Sequence, residues 1–160
     1  MTQDAAPNPQ NHDWADHVDR LRSSFCRLLG QDLIPPDMTG SAAGQALYEA
    51  DFVVVSHGTE ADPIFNYANA MAQRLFEFSW EEFTTLPSRL SAELPNREER
   101  AQLLSAVTRQ GFIRDYRGIR IAKSGRRFYI HNAIVWTVTD DLGTPYGQAA
   151  TFRQWEYLDG

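Results

Sequence analysis

The sequence predicts an α+β fold: a five-stranded antiparallel sheet with short helices on one face, preceded by an amphipathic helix. Two observations predict the sheet and a third places the helices. Residues 47–56 and 64–67 are β-rich runs joined by turn residues at 57–62, which reads as a hairpin. Residues 112–122, 127–139 and 146–154 are three more such runs with short turns at 123–126 and 140–145, which reads as an antiparallel meander. Between hairpin and meander the signals are helical.

Taken in order, residues 1–12 hold Pro, Asn, Gln and Ala with little to bury, and are expected to be a disordered tail. Residues 13–30 are expected to form a helix. Trp14, Val18, Leu21, Phe25 and Leu28 recur at steps of four, three, four and three, with Asp13 as cap and Gly30 as stop. That stripe either packs on its own domain or, having heptad spacing, forms a homodimer seam. Residues 31–46, rich in Pro and Gly, read as a connector, residues 47–154 as the folded domain and 155–160 as a tail. Within the domain, the run Phe52 to Val55 suits a buried strand. Residues 69–76 form a short helix with Met71 and Leu75 on one face. Ser79 and Glu82 fit a capping box, and Asn96 repeats that logic. The helix after Asn96 carries Ala101, Leu103, Leu104 and Val107 and stops at Gly111.

Composition bounds the function. At 160 residues with 42% hydrophobic content, the chain has one domain's length and can bury a core without staples. A net charge of −6 gives no cationic surplus for nucleic acid, so no nucleic-acid partner is expected. One cysteine, Cys26, allows no internal disulfide and no Cys-based zinc site, and the four histidines show no metal-ligand spacing. No apolar run approaches membrane-helix length, and the start has neither the basic nor the apolar region of a signal peptide. The expected location is therefore cytoplasmic, with no membrane partner.

The element order, with the residues at its joints, resembles the PAS family of sensory domains over 47–152. The most specific stretches are 64–72 (Ile-Phe-Asn-Tyr-Ala-Asn-Ala-Met-Ala) and 75–83, with Ser79-Trp80-Glu81-Glu82-Phe83 at its end. Glu77 stands where PAS domains commonly have Gly. A narrower resemblance, carried by 52–60, 63–69, 86–89 and 116–120, is to the MEKHLA domain, a PAS-like family, in its bacterial stand-alone form. The resemblance implies a sensory, ligand-binding or protein-interaction module without catalysis of its own, signalling through dimerisation or a separate partner. The alternatives are a small enzyme in an α+β cavity fold and a structural adaptor with a filled core.

PAS domains that resemble this one bind ligands between the sheet and the middle helices. Period-two alternation places Phe128, Ile130, Asn132, Ile134, Trp136 and Val138 on one face of the long strand, taken as the core side, with His131 on the other. Asn132, the polar member, is either a ligand contact or a structural hydrogen bond. Gln148 or Thr151 on the last strand is a further ligand candidate of unsettled facing. Phe65, Tyr67 and Trp136 are candidate walls, or they fill the cavity. Asn69 is a candidate contact or the cap of the following helix. Arg89 either clamps a carboxylate or phosphate or pairs with Glu93 or Glu98. His57 reads as turn chemistry. Arg117, Arg120, Arg126 and Arg127 read as a solvated charge cluster. No catalytic residues and no metal ligands are expected, and the cofactor, if any, is not identified. LOV-type flavin photoreceptors, as the resemblance goes, need an Asn-Cys-Arg block. The chain has Thr85-Leu86-Pro87-Ser88-Arg89 in that region, which excludes adduct formation. Haem-binding PAS domains commonly take a His from the long helix, and 97–110 contains none, which argues against haem.

Overall fold

In a computed structural model, which describes residues 5–158, the chain begins with a 3-10 turn at Pro9–Trp14 and two helices, α1 (Ala15–Leu29) and α2 (Gly40–Tyr48). The hairpin β1 (Val53–His57) and β2 (Phe65–Ala68) follows, then α3 (Ala70–Phe76), α4 (Trp80–Phe83), a 3-10 turn at Ser88–Ser91 and α5 (Leu94–Gln110). The meander is β3 (Phe112–Ile121), β4 (Arg127–Thr139) and β5 (Pro145–Phe152), extended by β6 (Gln154–Tyr157). One antiparallel sheet runs in the order β2-β1-β5-β4-β3, and β6 pairs with the start of β4. The sheet therefore has six strands rather than the expected five, because residues taken as a tail register Trp155 opposite Ile130 and Tyr157 opposite Phe128. Residues 159–160 of that tail lie outside the described residues.

Strand alternation divides the core into two layers. On β1, Val53 and Val55 face α3 and β4 residues Phe128 and Ile130, whereas Phe52 and Val54 face α1 and α2. The sheet's second face, with Trp136, Val138 and Ala149, is apolar and needs cover. The α1 stripe supplies it: Val18 and Leu21 are fully buried there and Phe25 meets the Trp136 ring edge-on at 4.9 Å. Trp14 and Leu28 are partly buried in the same layer. The homodimer seam expected through Trp14, Val18, Leu21, Phe25 and Leu28 is thus not free, since this chain's own sheet occupies it.

Local signals at the helix ends divide into those that hold and those that do not. Gly30 closes α1 in the left-handed region at φ 68°, its N–H donating to the Cys26 carbonyl. Asp13 does not cap α1. It and Trp14 both adopt positive φ, Trp14 takes the cap position, and no side chain bonds the first turn. The expected disordered tail falls partly on residues 1–4, outside the described residues. Asn8 closes a capping box with Asn11 on the 3-10 turn that follows. The connector contains α2, built on small residues: a Cβ on Gly44 would lie 2.2 Å from the Asp13 carbonyl oxygen, so only glycine lets the helix approach. Ser79 and Glu82 form the expected capping box on α4. Helix α5 starts two residues before Asn96, with Glu93 as cap, so Asn96 lies inside the helix. Glu77 ends α3 at φ 63° and accepts a hydrogen bond from the Ser124 N–H at 3.1 Å.

The largest departure from simple alternation is in β4. Asn132 adopts φ 52°, and between the pairs Gly118–Ile130 and Tyr116–Ala133 the strand carries one extra residue. This bulge exchanges the faces. Phe128 and Ile130 point to the α3–α5 side, but beyond the bulge it is Ala133 and Val135 that do so, while Ile134, Trp136 and Val138 turn to α1. Asn132 itself is exposed and donates through Nδ2 to Gln154 Oε1 at 2.8 Å.

Candidate functional site

A cavity of about 70 Å³ lies between the sheet and the layer of α3, the Ser88–Ser91 turn and α5. Its walls are mainly apolar, with Phe65, Phe76, Leu103, Ile130, Val135 and Phe152 among them. The polar members are Ser56, His57, Ser91, Arg100, Tyr116, Arg120 and Gln148, and among the described residues no Asp or Glu lines it.

Each polar side chain is placed by a regular element. Arg100 precedes Leu103, Leu104 and Val107 by three, four and seven residues, so it extends the inward stripe of α5. Its Nη2 donates to Ser88 Oγ at 2.7 Å. Burial, then the nearby Arg120 charge, pull its pKa down to about 10. On β3, Tyr116, Gly118 and Arg120 share the inward face. The Tyr116 ring lies over Gly118, where a Cβ would meet the phenol oxygen at 2.3 Å. From there the Tyr116 oxygen accepts from Arg120 Nη2 at 3.0 Å and donates to Glu99 Oε2 at 3.0 Å. Burial raises the Tyr116 pKa above that of a free phenol. Arg120 is 7% exposed. His57 closes β1, and its Nδ1–H donates to the Gly58 carbonyl at 3.0 Å. Burial lowers the His57 pKa, with the Arg100 charge adding to that effect, so the ring is neutral at pH 7 and its buried Nε2 has no hydrogen-bond partner. Gln148 Nε2 donates to the Leu104 carbonyl at 3.1 Å and Thr108 Oγ1 at 3.0 Å, tying β5 to α5.

Of the seven ligand candidates read from sequence, the structure brings Phe65 and Gln148 together at this cavity. The other five lie elsewhere. Tyr67 is fully buried on the α1 side, stacked on His17 at 5.4 Å, and Trp136 is on that side too, its Nε1 donating to Ser24 Oγ at 3.0 Å. Asn69 is fully buried and wholly committed to the fold. Its Oδ1 accepts from Val54 N and Ala72 N at 3.1 Å each, and its Nδ2 donates to the Leu47 and Phe52 carbonyls at 3.1 and 2.8 Å. Arg89 forms an exposed ion pair with Asp62 at 3.1 Å, rather than with Glu93 or Glu98. Asn132 faces out because of the bulge. His131 is also away from the cavity, its Nε2 3.3 Å from Glu156 Oε2.

Three cavity residues were missed by sequence reasoning: Arg100, Tyr116 and Arg120. Arg120 is a correction, since it is buried rather than part of a solvated cluster. The available signals were the helical spacing of Arg100 with Leu103 and Val107, and the alternation of Tyr116, Gly118 and Arg120 along one strand. Cys26 is exposed on α1, across the sheet from the cavity. Among the described residues no group of three or more His, Cys, Asp or Glu could hold a metal ion, and no helix is long and apolar enough to cross a membrane.

This arrangement of an antiparallel sheet with short helices recurs in known proteins. The sequence matches the MEKHLA domain over residues 15–157, a span that includes α1 and all six strands. The chain belongs to the MEKHLA domain family. No curated protein matches it. Solved structures similar to this MEKHLA chain are PAS and LOV domains. A PAS domain from Colwellia psychrerythraea matches with TM-score 0.59 and 16% identity, over 71% of this chain and 92% of that one. A fungal LOV domain photoreceptor matches with TM-score 0.60 and 12% identity, over 97% of this chain and all of that one. An RNA-binding light-oxygen-voltage receptor matches with TM-score 0.62 and 20% identity over 79% of this chain, which spans only 34% of that receptor. At these identities the likeness establishes the PAS-type fold of the MEKHLA domain.

Proposed function

We propose that this MEKHLA chain is a non-catalytic sensory module that binds a small molecule in the cavity between the sheet and α5 and signals through a separate partner. The observation that carries this reading is the cavity itself: apolar walls with a few convergent polar side chains, the usual composition of a ligand site. An enzyme reading needs a poised acid and base on those walls. The lining offers a neutral His57 and two guanidiniums but no carboxylate, which favours binding over turnover. A filled-core adaptor would leave no cavity of this size beside two arginines. The lining does not fit a flavin–cysteine adduct, as no cysteine reaches it. The volume of about 70 Å³ also falls well short of the about 300–1,000 Å³ of sites for drug-sized ligands and larger cofactors. Because the α1 stripe is spent within the chain, we assign the output to a partner rather than to an α1-mediated dimer.

Native mass spectrometry of the freshly purified chain and of Ala133→Leu, which narrows the cavity, tests this. The expected result is an added mass in the wild type that disappears on denaturation and is absent from Ala133→Leu. An identical mass in both, together with no thermal shift from a small-metabolite panel, overturns the reading.

A further inference from the structure

The cavity carries two positive charges, and among the described residues no Asp or Glu lines it; Asp62 and Glu99 act on Arg100 only from a distance. Each guanidinium has five N–H donors. Arg100 uses one of them, on the Ser88 hydroxyl, and Arg120 uses two groups, on the Ile119 carbonyl at 2.8 Å and the Tyr116 phenol at 3.0 Å. All three acceptors are neutral. Among the described residues neither arginine forms an ion pair, although exposed arginines of the same chain, Arg89 and Arg153, do so with Asp62 and Asp51. Glu99 is the nearest acid in the network, and it takes the Tyr116 hydroxyl rather than either guanidinium.

That pattern is costly in the absence of a ligand. A buried charge without a counter-charge is strongly destabilising, and the Arg100 pKa is lowered first by burial and then by the charge of Arg120. Mixed donor orientation around a neutral phenol and hydroxyl leaves most guanidinium N–H groups without protein partners, and a guanidinium fork fits a carboxylate in a bidentate manner. The rest of the wall is hydrocarbon: Leu103, Ile130, Val135 and Phe152. His57 adds no opposing charge.

We propose that the ligand is a small organic carboxylate, its carboxylate group held by Arg100 and Arg120 and its short apolar body packed among Leu103, Ile130, Val135 and Phe152. This rests on the ligand-binding reading above and deepens it by naming the ligand class. The apolar walls disfavour inorganic phosphate, which has no hydrocarbon to bury, and the small volume favours short chains. Tyr116, bridging Arg120 to Glu99, holds the Arg120 guanidinium in place and connects the anion site to the solvent-facing side of α5.

The test is a titration of the full chain, at constant ionic strength, with acetate, propionate, butyrate, butyramide and inorganic phosphate. Binding is read by calorimetry and by thermal shift. The expected result is saturable binding of at least one of the acids, rising with chain length until the cavity is full, and at least ten-fold weaker binding of butyramide and of phosphate. Arg100→Gln and Arg120→Gln are each expected to weaken the acid at least ten-fold. The acid–amide comparison uses the wild-type chain and keeps its force if either variant does not fold. Butyramide binding as tightly as butyrate, phosphate binding as tightly as any acid, or no acid binding at all overturns the proposal. If native mass spectrometry finds a neutral molecule in the cavity while the acids do not bind, the carboxylate assignment fails and the ligand-binding reading stands. If neither is found, both fall.

Discussion

Lowering the pH from 7.5 to 5.0 should destabilise the chain through His17, a residue of the α1 layer separated from the cavity by Ser56. His17 stacks on Tyr67, meets the edge of Trp14 at 5.5 Å, and places Nε2 3.0 Å from Ser56 Oγ. Ser56 directs its one proton to Asn66 Oδ1, so the hydroxyl accepts from His17 Nε2–H and the neutral ring is the Nε2–H tautomer. Burial, followed by the Arg20 charge, lowers the pKa of His17 from 6.5 to about 4. Between those values the unfolded chain binds a proton that the folded chain refuses, so stability rises with pH through that window. The contribution is complete above 6.5 and is lost as pH falls toward 4. At pH 5 protonation favours the unfolded chain about thirty-fold, or ~2 kcal/mol, and less where water reaches the ring. Urea denaturation of the wild type and of His17→Gln at both pH values isolates this term. His57 and the carboxylates contribute equally to both proteins and cancel in the comparison. The wild type should lose about 2 kcal/mol more than the variant between the two conditions. Equal losses in the two proteins, or an NMR titration showing His17 protonated at pH 5 in the folded wild type, would refute the reasoning.

Other substitutions address the two layers separately. Asn69→Ala removes the partners of four buried backbone groups at once. At about 1–3 kcal/mol for each unsatisfied group, even partial relaxation leaves a loss above ~3 kcal/mol, measured by denaturant midpoint. Leu21→Ala empties a fully buried site between α1 and the sheet and is expected to cost about 2–5 kcal/mol. Light scattering of the wild-type chain and a partly hydrophilic stripe variant, Leu28→Lys, should give the same oligomeric state, because the stripe packs within the chain. Trp136→Phe keeps the ring contact with Phe25 but loses the bond to Ser24, about 1 kcal/mol by thermal denaturation. Gly118→Ala pushes the Tyr116 ring off β3. It should release Arg120 from the phenol and lower the affinity for whatever the cavity binds, with little change in the α1 layer.

Sequence reasoning worked best where structure is determined within four residues. Ser79 and Glu82, Asn69 before α3, and Gly30 after α1 all act through bonds to neighbouring backbone, so their residue types suffice. The hairpin and meander were legible for a related reason: turn residues sit between runs of β-formers. What escaped depends on partners distant in sequence. The small-residue helix α2 has no strong apolar stripe, and only the approach of the Asp13 carbonyl to Gly44 explains its composition. Strict alternation along β4 gave the right faces for Phe128 and Ile130 and the wrong ones for Ile134, Trp136 and Val138, because the bulge at Asn132 shifts the phase. Asn tolerates positive φ better than most residues, which was the one local hint. The cavity suffered from that shift, since Trp136, one of its proposed walls, moved to the opposite face. Arg120 was grouped with its neighbours in sequence, whereas its neighbours in space are Tyr116 and Arg100.

The sheet is one strand thick, and its two sides serve different layers. Val135 borders the cavity and Trp136, bonded to it, carries α1; Ser56 and Ala149 line the cavity and also meet the α1 layer, Ser56 through His17. Nothing lies between the two surfaces to absorb a displacement. The sheet therefore acts as a diaphragm: a shift of β4 or β1 imposed from the cavity side is, in the same movement, a shift of the floor on which Phe25 and His17 rest. An occupant of the cavity would be felt at α1 without touching it, and a partner gripping α1 would in turn alter the cavity.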